Sequence, residues 1–194
     1  LVGSEMCIRD RYTKVVIALS GDVGFYSGAK KLAELLGPDT EMICGISSVV
    51  YFMSKIGLSW DDAKIVSAHG KTCNLISLIR TNRKVFAILG TGDGVRKLAE
   101  KLTFYGMGDV ILHIGENLSY DNEKILAKPA RELVSYEGDP LSVICAYNLK
   151  AEPEPATHGL SDEEFIRGKA PMTKTEVRTV SLSKLRLPKD AICY

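Results

Sequence analysis

Three stretches of this sequence place glycine, aspartate and serine where an apolar run gives way to a helical pattern, and residues so placed could hold a ligand. The first is Ser20-Gly21-Asp22-Val23-Gly24-Phe25-Tyr26-Ser27-Gly28. Glycine lets backbone N–H groups approach a ligand closely. Asp22 could accept from a ligand amine, or it could cap the helix that follows. The second is Cys44-Gly45-Ile46-Ser47-Ser48. The free N–H groups and hydroxyls of such a turn could hold a carboxylate, and an ordinary N-cap explains the same residues. The third is Gly90-Thr91-Gly92-Asp93-Gly94. A glycine-rich loop alone is a weak sign of a nucleotide and reads in isolation as a flexible turn. His69-Gly70-Lys71 and Glu116-Asn117-Leu118-Ser119-Tyr120 also follow apolar runs. His69 is a proton acceptor by type and equally a structural histidine. G-x-S-x-G, a P-loop lysine and H-E-x-x-H are all missing from the sequence, so no nucleophile–base–acid set can be read.

These turns can act together only if strands and helices bring them to one edge. Residues 15–19 (VVIAL) form a β-branched run that fits a strand buried on both faces. Phe25, Ala29, Leu32, Ala33 and Leu36 repeat at helical spacing, and Gly37-Pro38 stops that helix. Residues 40–44 read as a short strand; Val49, Val50, Phe52, Met53 and Ile56 then form the face of a helix that Ser47 or Ser48 could cap. Further strands are expected at 63–67, 84–89, 109–114 and 141–146, with helices around 75–79 and 95–102. Strands alternate with helices about every 25 residues, which gives an α/β class. In open sheets of that class, ligands sit at the carboxyl ends of strands.

After Lys150 the texture changes. Glu152-Pro153-Glu154-Pro155 is an extended linker. Ser161 with Glu164 and Thr173 with Glu176 have capping-box spacing, the second opening a helix over 177–185. Residues 191–193 read as a strand just starting. Residues 1–11 look foreign, a remnant of cloning or assembly or else a frayed tail, because a targeting signal would order its charges differently.

Composition narrows the function classes. The 194 residues are 45% hydrophobic and 25% charged, an ordinary globular balance. Lysine plus arginine is 25 against 24 acidic residues, so nothing points to nucleic acid or an anionic membrane surface. No apolar run approaches the roughly 18 residues of a membrane span. Cys7, Cys44, Cys73, Cys145 and Cys193 show no C-x-x-C spacing, and His69, His113 and His158 are equally scattered. Neither a metal site nor a disulfide framework is expected, and the cysteines read as free thiols of a cytoplasmic protein.

Taken together, LSGDVGFYSGAKKL, CGISSVVYFMSKIGLSWDDAKIVSAHGK, FAILG and IGENLSYDNEKI resemble, in that order, the tetrapyrrole methylase family over about residues 14–148. Within it the similarity is to the branch that methylates C5 of precorrin-7 or cobalt-precorrin-7 in cobalamin biosynthesis. DEEFIRGKAPMTKTEVRTVSLSKLRL resembles the opening of the C15-methyltransferase and decarboxylase of the same pathway, and some members fuse the two activities. The resemblance implies a foreign-looking or disordered tail over 1–13, a partial methylase domain over 14–148, a linker over 149–158 and the start of a second methyltransferase domain over 159–194. The implied fold has two α/β subdomains, the N-terminal one incomplete, followed by the first helices of a Rossmann-like domain.

The implied cofactor is S-adenosylmethionine. Its implied contacts are Gly21, Asp22 and Val23, where valine replaces the family's proline, then Ser47 and Ser48, and Leu89 beside the adenine. Cys44 stands where proline is more usual. The family opens with a strand and a G-x-G-x-G loop that do not precede Lys14, so a chain truncated at both ends, with neither active site complete, is expected. An activated methyl donor needs no enzyme nucleophile; the protein must align the reactants and exclude water. His69 and Asp22 are the candidates, by type, for a base that removes a macrocycle proton. Lys71 is a basic group that could meet the many carboxylates of the substrate. A precorrin substrate and a homodimer are the implied partners. The alternatives are a methylase acting at another macrocycle carbon, or an inactive dimerising fragment that binds the methyl donor weakly or not at all.

Overall fold

The protein, described as a computed structural model, divides into two compact units, Leu1–Glu152 and Pro153–Tyr194. The structure describes residues 14–38, 40–69, 73–152, 160–166, 168–169 and 171–186. The expectations for residues 1–13, Lys71 and residues 191–193 lie outside the described residues.

Apolar, β-branched runs become the inner strands of the first unit. β1 (Lys64–Ser67), β2 (Lys84–Ile88), β3 (Ile111–Glu116), β4 (Lys124–Pro129) and β5 (Ser142–Tyr147) form one sheet in the order β1-β2-β5-β3-β4. β1 and β2 are parallel and every other pair is antiparallel. β2 and β5 lie near the middle and are almost wholly buried. Their side chains alternate between two cores, as the two-residue period of a strand requires. Val85, Ala87 and Leu89 of β2 and its exit, with Ile144 and Ala146, face one core with helices α3 (Leu75–Thr81) and α4 (Gly94–Phe104). Phe86, Val143 and Cys145 face the other, against Val49, Phe52 and Met53 of helix α2 (Ser48–Lys55). Each such large side chain taken out of water contributes roughly 1.5–3 kcal/mol. Helix α1 (Ala29–Leu36) buries only Ala29.

The α/β class holds, but three local expectations do not. Residues 15–19 and 40–44 are not strands. Among the described residues no strand pairs with either, and Val16 is 89% and Ile43 76% exposed. An apolar run becomes a strand only where a neighbour supplies ladder hydrogen bonds, and local patterning does not report the neighbour. Phe25 stands ahead of α1, its ring edge-on to Tyr26 at 5.0 Å and 6.2 Å from Phe86. The strand missed in the sequence is β4. Its KILAKP mixes exposed and half-buried positions because it is an edge strand, and it pairs antiparallel with β3 through the turn at 117–123.

In the second unit the Ser161–Glu164 capping box forms, with Ser161 N–H donating to Glu164 Oε1 at 2.9 Å. Helix α5 (Thr175–Leu185) starts two residues ahead of the expected 177; its N-cap is Lys174 rather than Thr173, without a side-chain cap bond. The Thr173 carbonyl accepts instead from Arg178 at 3.1 Å. Arg178 lies over the Phe165 ring at 4.5 Å and donates to Asp162 Oδ1 at 2.9 Å, tying the helix to the turn before it.

Candidate functional site

The register brings several exits to one edge of the sheet. Ser67 pairs with Ile88, Ile88 with Val143, and Glu116 with both Ser142 and Lys124. The carboxyl ends of β1, β2 and β3 and the amino ends of β4 and β5 therefore lie side by side. Ala68 and His69, at the exit of β1, and the loops at 89–94 and 117–123 lie at this edge.

A clasp joins the first two glycine-bearing turns. Gly21 has φ +77°, a left-handed conformation that favours glycine. Asp22 Oδ1 accepts from Gly24 N–H at 2.8 Å, and Oδ2 accepts from Gly45 N–H at 3.2 Å. A Cβ on Gly45 would overlap the Gly21 carbonyl oxygen, so glycine there is what allows the approach. Two residues on, Ser47 caps α2: its Oγ accepts from Val50 N–H at 3.4 Å, and the side chain is buried. Val23 and Ser48 are half-buried. The structure thus brings Gly21, Asp22 and Val23 together with the turn that carries Ser47 and Ser48. What it presents is exposed backbone at Gly21, Gly24 and Gly45 beside the start of a helix, flanked by the exposed side chains of Cys44 and Ile46. That surface suits the carboxylate end of a small zwitterionic ligand. Asp22 has both carboxylate oxygens engaged by backbone N–H groups, the geometry of a brace rather than of a base.

Leu89 and His69 lie elsewhere. Leu89 follows the alternation of β2 onto the α4 face, opposite to Phe86 and α2, while its N–H donates to Ser142 O at 3.0 Å. With His69, Gly90, Thr91, Lys97 and Lys101 it lines a cavity of about 380 Å³. A Cβ on Gly90 would overlap the His69 ring, so glycine is what lets the imidazole lie across the backbone. Lys97 is paired with Asp93 at 2.6 Å. The two base candidates, Asp22 and His69, therefore belong to separate groups of contacts.

Sequence reading missed the fastening of the turn after β3. Glu116 is buried; its Oε1 accepts from Asp139 N–H at 3.0 Å, and Lys124 stands 3.6 Å from Oε2. Asn117 donates to Asp139 Oδ2 at 3.0 Å. Glu123 accepts from Ser119 N–H and from the Tyr51 hydroxyl of α2, both at 2.7 Å, and pairs with Lys55 at 3.4 Å. The Ser119 N–H, and after it the Tyr51 hydroxyl, hold the Glu123 carboxyl below its usual range. Asn117 and Ser119 have φ +48° and +65°. Non-glycine residues held this way cost of order 1–3 kcal/mol each and persist where surrounding contacts over-determine them. Only the Tyr51/Lys55 spacing on one helix face hinted at this in the sequence; their partner stands 72 residues beyond Tyr51. Among the described residues no group of three or more His, Cys, Asp or Glu side chains could hold a metal ion.

The profile of the tetrapyrrole (corrin/porphyrin) methylases matches residues 6–134. The cobalt-precorrin-7 C(5)-methyltransferase of Salmonella typhimurium is 33% identical over 112 residues, 57% of this chain and 55% of that protein. The decarboxylating precorrin-6Y C(5,15)-methyltransferase of a Sinorhizobium species is 28% identical over 189 residues, 95% of this chain and 46% of that one. A probable decarboxylating cobalt-precorrin-6B C(15)-methyltransferase of Pyrobaculum aerophilum is 63% identical over 35 residues, 18% of each chain. The chain spans about half the length of the first two relatives. Among solved structures, uroporphyrin-III C-methyl transferase of Thermus thermophilus, complexed with S-adenyl homocysteine, superposes with a TM-score of 0.60 at 16% identity. It covers 75% of this chain and 68% of its own. That likeness establishes the tetrapyrrole methylase fold.

Proposed function

Because this chain belongs to the tetrapyrrole methylase family, we propose that it takes part in S-adenosylmethionine-dependent C-methylation of a precorrin, at C5 of precorrin-7 or cobalt-precorrin-7. In this reading residues 14–148 are the methylase domain, 149–158 a linker, and 159–194 the start of a partner domain for C15 methylation and decarboxylation. The match of 95% of this chain to 46% of a C(5,15) enzyme and the 63% identity over 35 residues to a C(15) enzyme support the fused arrangement. A cytoplasmic location and a homodimer belong to the same reading.

The observation that carries the donor site is the clasp of Gly21-Asp22 on Gly45, two residues ahead of the capped start of α2. Bound S-adenosylmethionine would supply a methyl group already activated on a sulfonium. Gly21, Asp22 and Val23 would line one side of it, and Ser47 and Ser48 the other. The exposed backbone of the two turns would bind its amino-acid end, and the brace through Asp22 would fix their spacing. Leu89 N–H stays on the β5 ladder, so the exit of β2 is a rigid wall against which an adenine could rest. His69, on the far side of that exit, remains the candidate to accept the macrocycle proton. Orientation and exclusion of water would be the protein's contribution.

The test is calorimetric titration of the chain with S-adenosylhomocysteine, followed by transfer of labelled methyl from S-adenosylmethionine to precorrin-7. Saturable binding with methyl appearing at C5 is the expected result. Binding with methyl at another carbon would assign a different methylase. No binding would favour the dimerising fragment, a reading that the exposed apolar residues Val16 and Ile43 also suit.

A further inference from the structure

We propose that Glu123 is a positioning residue for methyl transfer, one that fixes the turn at 117–122 against α2 and so sets its distance from the Ser47-Ser48 end of that helix. The inference rests on reading that end as part of the donor site.

Three contacts converge on the one carboxylate: Tyr51 Oη at 2.7 Å, Ser119 N–H at 2.7 Å and Lys55 Nζ at 3.4 Å. Two come from α2 and one from the turn, so Glu123 is the bolt between them. Tyr51 lies one helical turn from the cap, and its N–H donates to Ser47 O at 3.0 Å. A pull on Tyr51 is therefore a pull on the donor end of the helix. Beneath the bolt, Leu118 belongs to the same apolar cluster as Phe52. A Cβ on Gly115 would press on both the Phe52 ring and Leu118, so turn and helix meet there without a spacer. The strain agrees with this. Asn117 and Ser119 are held left-handed, although a turn with no required shape could relax. The turn presents Tyr120, 60% exposed, at the loop-bearing edge of the sheet. A carboxylate with this many donors stays ionised across the working pH range, so the bolt does not loosen with ordinary changes of pH.

The experiment uses the full chain with Glu123→Gln, the double variant Tyr51→Phe/Lys55→Met, and the conservative Lys55→Arg. The readouts are the Kd for S-adenosylhomocysteine, hydrogen exchange at the Ser119 amide, and the thermal midpoint. Glu123→Gln is expected to raise Kd about tenfold, about 1.4 kcal/mol, and to speed Ser119 exchange. The double variant leaves the Ser119 bond in place but cuts the turn from α2. It is expected to raise Kd with little change at Ser119, and it decides the matter should Glu123→Gln not fold. Lys55→Arg should behave as wild type. Faster Ser119 exchange with unchanged Kd would overturn the positioning role and leave the donor site standing. Failure of the wild type to bind would overturn the donor-site reading, and the positioning role with it.

Discussion

Gly45→Ala strikes the clasp at its tightest point. The added Cβ would overlap the Gly21 carbonyl oxygen and stand 3.7 Å from Asp22 Cα. Both are backbone atoms, so no side chain can swing aside and one of the turns must move. Overpacking of this kind costs about 1–3 kcal/mol. Any such movement also draws the residue-45 N–H from the Asp22 carboxylate, 3.2 Å away. A hydrogen bond to a charged group is worth ~1.5–3 kcal/mol, and this exposed one belongs at the low end. The two effects share one displacement, so their sum is an upper bound. A combined figure of about 2–4 kcal/mol corresponds to roughly 30- to 1,000-fold in an equilibrium constant. The strain sits in the two turns, away from β2 and β5. Weakened S-adenosylhomocysteine binding with the sheet intact is therefore expected, read by calorimetry beside circular dichroism. Gly28→Ala is the control: nothing lies within 4 Å of its Cβ position, and its φ is −68°. That change should leave binding alone and shift stability by less than about 1 kcal/mol, since the smaller unfolded-state freedom of alanine is offset by its poorer N-cap preference. If Gly45→Ala binds within about threefold of wild type, less than 1 kcal/mol, the close approach of the turns is not part of the donor seat.

The remaining predictions concern the scaffold. Ser142 Oγ is buried without a hydrogen-bond partner, so Ser142→Ala should leave stability unchanged or raise it by up to ~1 kcal/mol in urea unfolding; a clear loss would mean the hydroxyl has a partner. Lys84 is buried and donates to Ser59 O at 2.8 Å and Asp62 Oδ1 at 2.5 Å. Asp62→Ala leaves that ammonium without its counter-charge, whereas Lys84→Met removes the buried charge itself. Asp62→Ala should therefore destabilise more than Lys84→Met, by ~1–2 kcal/mol, less than for a wholly buried pair because Asp62 is open to water; the reverse order in urea unfolding would refute this. Burial pushes the Cys145 thiol up from 9.0 to about 12. Cys44, which is exposed, should react with a thiol reagent at pH 8 while Cys145 reacts only on unfolding. The stabilising contribution of that protonated thiol is complete below pH 9 and declines as pH climbs towards about 12; a stability profile flat over that range would contradict the assignment.

The sequence made the inner strands legible and the site only half so, for reasons that follow from range. β2 and β5 announce themselves because both faces of each are buried, which leaves an unbroken apolar run. Residues 15–19 carry the same signal and form no strand, because pairing is a property of two segments and the run describes one. β4 fails the other way: it has a partner in β3 but sits at the edge, where half its positions meet water and the pattern blurs. The clasp was readable because each half is local: a strand-like exit, a glycine, an aspartate, a serine cap. That the halves meet through Asp22 and Gly45, 23 residues apart, is given only by the fold; the resemblance implied no more than that both turns touch one cofactor. Leu89 shows where resemblance stops as well. The resemblance implies a place beside the adenine, but whether its side chain or its backbone faces that side depends on strand parity, and parity sends the side chain to α4 with His69. Glu123 was invisible because nothing near it in the chain distinguishes it from any surface acid. Its role comes from two residues of α2 and a backbone amide, which only the fold assembles.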